Sequence, residues 1–72
     1  MNTLQPTSEH FQLMKIRQVM KVTCLARSTV YKYCADNNFP KPIQLGKRNA
    51  AWVESEVKEW IEQKMLQRAQ PR

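Results

Sequence analysis

The strongest constraint on the fold is a break at Pro40 and Pro42, where two prolines stand within three residues. Proline lacks a backbone N–H and disfavours the helical conformation of the residue before it, so the chain is extended here. Residues 36–38, Asp-Asn-Asn, precede the break, and asparagine tolerates the left-handed conformation that commonly ends a helix. The chain of 72 residues is therefore divided into two helical parts by an extended segment.

A β-hairpin is predicted directly after the break. Residues 43–45 and 50–52 alternate in the manner of β-strands, and the segment 46–49 between them contains the only glycine of the chain. The turn is basic, because Lys47 and Arg48 stand at its centre. The alternation predicts that three hairpin side chains face the core: Ile43, Leu45 and Trp52.

Two short helices are predicted before the break, because apolar residues recur there at spacings of three and four. The first helix spans residues 16–22, the second spans residues 27–35, and residues 23–26 form a tight connection. The residues expected on the inner faces are Ile16, Val19 and Met20 in the first helix, and Val30, Tyr33 and Cys34 in the second.

A third helix is predicted to begin at Glu54, since Glu54 and Glu56 would complement the helix dipole in its first turn. Apolar residues then follow at helical spacing, and Pro71 ends the pattern. We expect Trp52 and Trp60 to lie in the core and not to act as base-stacking platforms.

The order of these elements predicts a small winged helix-turn-helix of the α+β class. It has three short helices, with a two-stranded β-hairpin wing between the second and the third. We assign residues 14–68 to this single domain, residues 1–13 to a flexible leader and residues 69–72 to a flexible tail.

Positive charge is concentrated in the middle of the chain. The net charge is +6, and residues 15–48 hold eight Lys or Arg residues against one acidic residue, whereas residues 49–72 are balanced. Such a concentration favours a polyanionic partner, and double-stranded DNA is the one that we expect. A generally basic soluble protein and a protein of anionic membrane surfaces are the alternatives.

The sequence predicts no enzymatic activity, metal, cofactor or small-molecule substrate. Cys24 and Cys34 form no CxxC pair and His10 stands alone, so a zinc site would lack ligands. No paired carboxylates, Ser–His or Cys–His arrangement or phosphate-binding glycine loop is present. We interpret both cysteines as reduced thiols. With no transmembrane run or signal-peptide pattern, we expect a cytoplasmic, nucleoid-associated protein without a membrane partner.

The second helix is the expected recognition helix, whose N-terminal residues reach base edges in the major groove. Its predicted DNA-binding residues are Arg27, Ser28, Thr29, Tyr31 and Lys32. The predicted DNA-binding residues of the wing are Lys47 and Arg48, which suit the minor groove or nearby phosphates. Weaker phosphate contacts are predicted for Lys15, Arg17, Lys41 and Asn49.

These residues also have purely structural interpretations. Ser28 or Thr29 would cap the second helix, and Tyr31 would pack on the hairpin. The charged side chains would only be solvated and keep the surface soluble. The four glutamates between residues 54 and 62 would form an exposed helix face or, alternatively, a face that binds a partner.

The chain from Leu13 to Gln63 resembles the AlpA-like family of phage and prophage DNA-binding proteins, which belongs with MerR-like and excisionase-like winged helices. The resemblance is carried by VTCLARSTVYKY, NNFPKPIQLGKR and AWVESEVKEWI. It implies a small cytoplasmic protein that binds near a promoter or an attachment site. It also implies that the predicted residues of the second helix belong to the recognition helix, and that Gly46 and Arg48 form the wing turn.

Four positions depart from the family pattern. Cys24 stands where the inter-helix turn usually has glycine, and Ala26 stands where it usually has serine. Ala26 has no side chain that caps a helix, a loss of about 1 kcal/mol. Asn37 replaces the glycine that ends the second helix, and Ala51 replaces an arginine that often precedes the family's tryptophan.

The function expected from these observations is sequence-specific binding of double-stranded DNA in a phage or an integrated element. The first role is that of an excisionase, a recombination directionality factor that binds and bends attachment-site DNA with an integrase as partner. The alternative is a transcriptional regulator of phage or integrase genes, and a less favoured one is a protein-interaction adaptor. Self-association on adjacent DNA sites is expected because a single small domain makes few phosphate contacts.

Overall fold

The computed structural model describes residues 11–69, which form three helices and a three-stranded sheet. The elements follow one another as β1 (Leu13–Met14), α1 (Ile16–Thr23), α2 (Arg27–Ala35), β2 (Ile43–Gly46), β3 (Asn49–Val53) and α3 (Glu54–Ala69). This order confirms the predicted α+β winged helix-turn-helix, in which a β-hairpin lies between the second and third helices.

The sheet contains a strand that the sequence pattern does not reveal. Its order is β1-β3-β2 with antiparallel pairing, so β3 is the central strand. Leu13 pairs with Val53, and the Glu54 N–H donates to the Gln12 carbonyl oxygen at 2.8 Å. A strand of two residues is too short for alternation to indicate it. Ordered pairing therefore begins within the segment assigned to the leader.

The remaining parts of the two predicted terminal segments lie outside the described residues. These are residues 1–10 of the leader and residues 70–72 of the tail. Ala69, the first residue assigned to the tail, is the last residue of α3.

The turn between α1 and α2 is fixed by local hydrogen bonds. Cys24 ends α1 in the left-handed conformation, with φ of 63°, and its N–H donates to the Met20 carbonyl oxygen at 2.8 Å. The Thr23 hydroxyl donates to the Val19 carbonyl oxygen at 2.6 Å and accepts from the Leu25 N–H at 3.3 Å. Cys24 thus occupies a conformation that favours glycine, and Thr23 holds the turn that follows.

The end of α2 is formed by the predicted asparagine stop. Asn37 has φ of 62°, and the Asn38 N–H donates to the Tyr33 carbonyl oxygen at 2.8 Å. This arrangement confirms that Asn37 takes the left-handed conformation in place of a glycine.

The core lies where α1, α2 and α3 meet the central strand. Its buried side chains are Met14, Val19, Val30, Cys34, Phe39, Ala51, Trp52 and Val57. Trp52 is fully buried and is the largest of them, which confirms its predicted core position. Trp60 is only half-buried, and it packs against the edge of this core. Burial of a large apolar side chain stabilises the fold by about 1.5–3 kcal/mol, so a few such residues dominate a small core.

Both tryptophans bind the extended segment that leads to the hairpin. The Trp52 indole N–H donates to the Pro40 carbonyl oxygen at 2.9 Å, and the Trp60 indole N–H donates to the Asn38 carbonyl oxygen at 2.6 Å. Phe39 lies between these two anchors, buried, with its ring edge-on to Trp60 at a centroid distance of 4.9 Å. The segment is therefore held on both sides, which fixes the start of the wing relative to the end of α2.

The predicted core positions of Ile43 and Leu45 are wrong. These side chains are 43% and 55% exposed. The helices α1 and α3 pack on the central strand β3, whereas β2 is an edge strand, on the opposite side of β3 from β1. The pairing also shifts between Gln44 and Gly46, so Leu45 has no directly paired residue on β3. Alternation identified a strand here but not which strand the helices cover.

Candidate nucleic-acid interface

The first turn of α2 presents polar side chains to solvent. Arg27 and Ser28 are exposed, whereas Thr29 is half-buried. The residue at the N-cap position is Ala26, which makes no side-chain hydrogen bond to the helix. Ser28 and Thr29 lie inside the first turn, so neither occupies the N-cap position that the structural interpretation required.

Four of the five predicted residues of α2 lie on one solvent-facing surface. Arg27 and Tyr31 are one helical turn apart, as are Ser28 and Lys32, so the two pairs form neighbouring rows. All four side chains are exposed. Val30 and Cys34 point the other way into the core, which confirms the inner face predicted for this helix.

Tyr31 is both exposed and packed on the hairpin. Its ring centroid lies 5.8 Å from that of Trp52, at an interplanar angle of 56°, and 42% of the side chain remains exposed. The packing interpretation of Tyr31 is therefore confirmed, and its exposed edge stays available to a ligand. The sequence pattern predicts Trp52 only as a core residue, but its ring also packs against that of Tyr31.

The wing turn consists of Lys47 and Arg48, both exposed. Gly46 and Asn49 face each other in register directly below them. Gly46 does not have positive φ, and a Cβ added to it would lie 3.6 Å from the Asn49 side-chain nitrogen, an ordinary contact. The backbone of this turn therefore does not require glycine.

Three of the predicted weaker phosphate contacts lie near the junction of α1 and the wing. The Lys15 ammonium donates to the Asn49 side-chain oxygen at 3.4 Å, which joins the residue before α1 to the first residue of β3. Arg17 follows in the first turn of α1 and is exposed. Lys21 lies one turn after Arg17 and is exposed too. Lys21 is not among the predicted phosphate contacts, although its spacing of four from Arg17 places both side chains on one face of α1.

Lys41 is placed apart from this junction. It lines a groove with Glu56 and Glu59 of α3, together with Pro40, Trp60 and Gln63. A phosphate at this place would meet two carboxylates, which repel it. Among the predicted contacts, Lys41 is thus the one whose surroundings suit a phosphate least.

Other classes of site find little support in residues 11–69. This part of the chain contains no group of three or more histidine, cysteine or acidic side chains arranged to hold a metal ion. Both cysteines are free, Cys34 being buried and Cys24 exposed. None of the helices between residues 11 and 69 has the length and apolar character needed to cross a membrane.

Comparison with known proteins identifies the family. The family model described as prophage CP4-57 regulatory protein (AlpA) matches residues 12–65. The chain belongs to the AlpA family. The match runs from the residue before β1 into α3, so the AlpA family region contains every predicted site residue described above.

Two curated proteins resemble this chain. An uncharacterized protein, ORF88 of Enterobacteria phage P4, is 38% identical over 55 residues, which cover 76% of this chain and 60% of that protein. The DNA-binding transcriptional activator AlpA of Escherichia coli strain K12 is 30% identical over 59 residues, which cover 74% of this chain and 84% of that protein. The chain thus spans less than two thirds of the phage P4 relative. No solved structure matches the chain.

Proposed function

We propose that this AlpA-family chain binds double-stranded DNA sequence-specifically and regulates transcription of phage or integrase genes. The observation that carries the proposal is the exposed surface of α2, which Tyr31 and Trp52 join to the basic wing. The relative from Escherichia coli is named a DNA-binding transcriptional activator, which supports the same role.

In this proposal, α2 enters the major groove with its N-terminal turn foremost. Arg27 has the planar, bidentate donor group that pairs with the O6 and N7 atoms of guanine. Ser28 adds a hydroxyl that donates or accepts at a base edge or a phosphate, and Thr29 does so from a half-buried position. Tyr31 and Lys32 lie further along the helix, where its flank meets the sugar-phosphate backbone.

The wing supplies a second contact. Lys47 and Arg48 extend from its tip and suit the electronegative minor groove or its flanking phosphates. Lys15 and Asn49 meet at the base of the wing, and Arg17 is exposed in the first turn of α1; their donors would bind the backbone and set the register of α2. Lys41 is left out of this interface because of its carboxylate neighbours.

The excisionase role is the second candidate. It uses the same contacts, with the further requirements that the protein bends attachment-site DNA and acts beside an integrase. A compact domain that grips DNA with both a helix and a wing is suited to this deformation. The adaptor alternative would use the acidic α3, and it predicts that Arg27→Ala with Arg48→Ala leaves function intact.

No enzymatic activity, cofactor or small-molecule substrate forms part of the proposal. Contacts to base edges and phosphates need only the side chains described above. Binding to chromosomal DNA would place the protein at the nucleoid in the cytoplasm.

The test is a mobility-shift titration on fragments that span the gene's own promoter and the nearest integrase attachment site. Bending is read from circularly permuted fragments, and Arg27→Ala serves as the matched variant with altered specificity. A discrete complex at the promoter supports the regulator. Stepwise, bent complexes at the attachment site support the excisionase. Salt-sensitive smearing on every fragment, unchanged by Arg27→Ala, would contradict sequence-specific binding.

A further inference from the structure

We propose that a groove between α1 and α3 binds the α3 helix of a second copy of this chain, so that copies associate head to tail. The groove has a volume of about 330 Å³. Its apolar lining comes from Val22 of α1 and from Trp60, Ile61 and Met65 of α3, and its charged lining is Lys64 and Arg68.

The groove is open and apolar in the folded chain. Val22 is 48% exposed and Met65 is 50% exposed, and both line the groove together with the half-buried Trp60 and Ile61. Clustered apolar exposure of this kind marks an interaction site more often than scattered single residues do. The cations Lys64 and Arg68 would favour an occupant that combines apolar side chains with carboxylates.

Such an occupant is present on the same helix. Glu59, Glu62 and Leu66 follow one another at spacings of three and four, so they share one face of α3, which we call the acidic ridge. All three are exposed, and Leu66 is 58% exposed. The groove face of α3, with Lys64 and Arg68, is turned well away from this ridge, since each residue advances by about 100° around the helix.

The two faces of α3 are complementary but unable to meet within one molecule. The ridge carries carboxylates around an exposed leucine, and the groove carries cations around apolar side chains. Because both faces belong to one rigid helix, a contact between them must join two copies. A second copy is favoured over an unrelated acidic helix, since this chain itself presents the required surface.

A head-to-tail contact leaves one groove and one ridge free at the ends of each assembly, so further copies can add. The contact needs no DNA, and the inference stands apart from the proposed function. Where copies sit side by side on a polymer, their high effective concentration would strengthen a contact that is weak in solution.

Charge reversal on each face provides the test, with the full chain and without DNA. The groove variant carries Lys64→Glu and Arg68→Glu, and the ridge variant carries Glu59→Lys and Glu62→Lys. All four side chains are exposed, so both variants should fold, which circular dichroism checks. The matched controls are Lys32→Glu on α2 and Asp36→Lys at the end of α2, which reverse exposed charges outside the groove lining and the ridge.

Sedimentation equilibrium then measures self-association. We expect the average molecular mass of the wild type to rise with concentration. Each double variant should raise the dissociation constant of self-association about tenfold. The controls should behave as the wild type. An equimolar mixture of the two double variants should associate again, because one retains a normal ridge and the other a normal groove, and their altered surfaces attract each other.

Several results would overturn the proposal. A wild type that is monomeric at every concentration would do so, as would a mixture that does not recover association. A groove variant that dissociates while the ridge variant remains unaffected would instead indicate a symmetric groove-to-groove contact. As a second readout, unlabelled protein added to labelled protein should shift the Trp60 indole resonance and the amides around Glu62. Shifts confined to other residues would also contradict the contact.

Discussion

The centroid of the Tyr31 ring lies 5.8 Å from that of the Trp52 ring, and this contact links the exposed face of α2 to the central strand of the sheet. Trp52 is fully buried and is held by its hydrogen bond to the Pro40 carbonyl oxygen. A half-exposed aromatic residue is thus set on a rigid support. The pair therefore connects α2 to β3, the strand that forms one side of the wing.

Two substitutions of Tyr31 distinguish the contribution of its ring to packing from the contribution of its hydroxyl to DNA binding. Tyr31→Ala should lower the free energy of unfolding by about 1.5 kcal/mol, because it removes a partly buried ring and an aromatic pair. It should also weaken binding to every DNA sequence. Tyr31→Phe keeps the ring and should retain stability, so any loss of affinity reports the hydroxyl. Urea unfolding and DNA titration measure the two effects. Equal stability of Tyr31→Ala and the wild type would show that the pair contributes nothing to the fold.

The recognition helix and the wing should respond differently to alanine substitution. Arg27→Ala should cost about 1–3 kcal/mol of binding free energy and relax specificity at one base position. Lys47→Ala should weaken binding to all sequences and lower the slope of log K against log salt by about one.

Lys41→Ala is the control for both variants, because it removes a cation that lies beside Glu56 and Glu59. Its affinity and salt slope should match the wild type. If Lys41→Ala reduced the slope as much as Lys47→Ala did, the DNA would have to run past α3, and the placement of the interface would be wrong.

The left-handed residue at the end of α1 offers a stabilising substitution. Cys24 has φ of 63°, a conformation in which a Cβ costs about 1–2 kcal/mol. Cys24→Gly should therefore raise the free energy of unfolding by about 0.5–1 kcal/mol, after the greater chain entropy of glycine is subtracted. Cys24→Ala keeps the Cβ and should leave stability near the wild-type value. Reductant should be present in these denaturation experiments. A gain shared by both variants would implicate the thiol and not the backbone.

The uncapped start of α2 offers another stabilising substitution. Ala26 already has the extended backbone of an N-cap residue, with φ of −70° and ψ of 156°. Ala26→Ser should add a side-chain acceptor for the backbone N–H of Ser28 or Thr29 and raise stability by about 1 kcal/mol. Thermal unfolding measures the gain. Ala26→Val, which cannot cap, is the comparison, and an equal gain from valine would exclude capping as the cause.

Helix positions could be predicted from the sequence because their signals are local. The sequence predicts the second helix at residues 27–35, as the structure has it, because Asn37 and the two prolines provide a strong local signal for its end. The first helix ends one residue later than predicted, at Thr23. The exposed surface of α2 that contains Arg27 and Lys32 is predicted by helical spacing alone.

Long-range relationships could not be predicted in this way. Alternation indicates a strand but does not reveal which strand or helix packs beside it. The sequence therefore predicts neither the exposure of Leu45 nor the pairing of Leu13 with Val53. The position of Lys41 beside two carboxylates of α3 also depends on tertiary packing. The hydrogen bond between Lys15 and Asn49 joins residues 34 positions apart, a separation that no local pattern reports.

The two indole groups donate their hydrogen bonds to backbone carbonyl oxygens of the segment before the wing, those of Asn38 and Pro40. These two hydrogen bonds therefore do not depend on which side chains the residues at positions 38 and 40 carry. The exposed side chains of α2, such as Arg27 and Ser28, likewise take no part in the buried core. Under the proposed function, selection or a protein engineer can consequently change Arg27 and Ser28 to suit a new target sequence without altering the core.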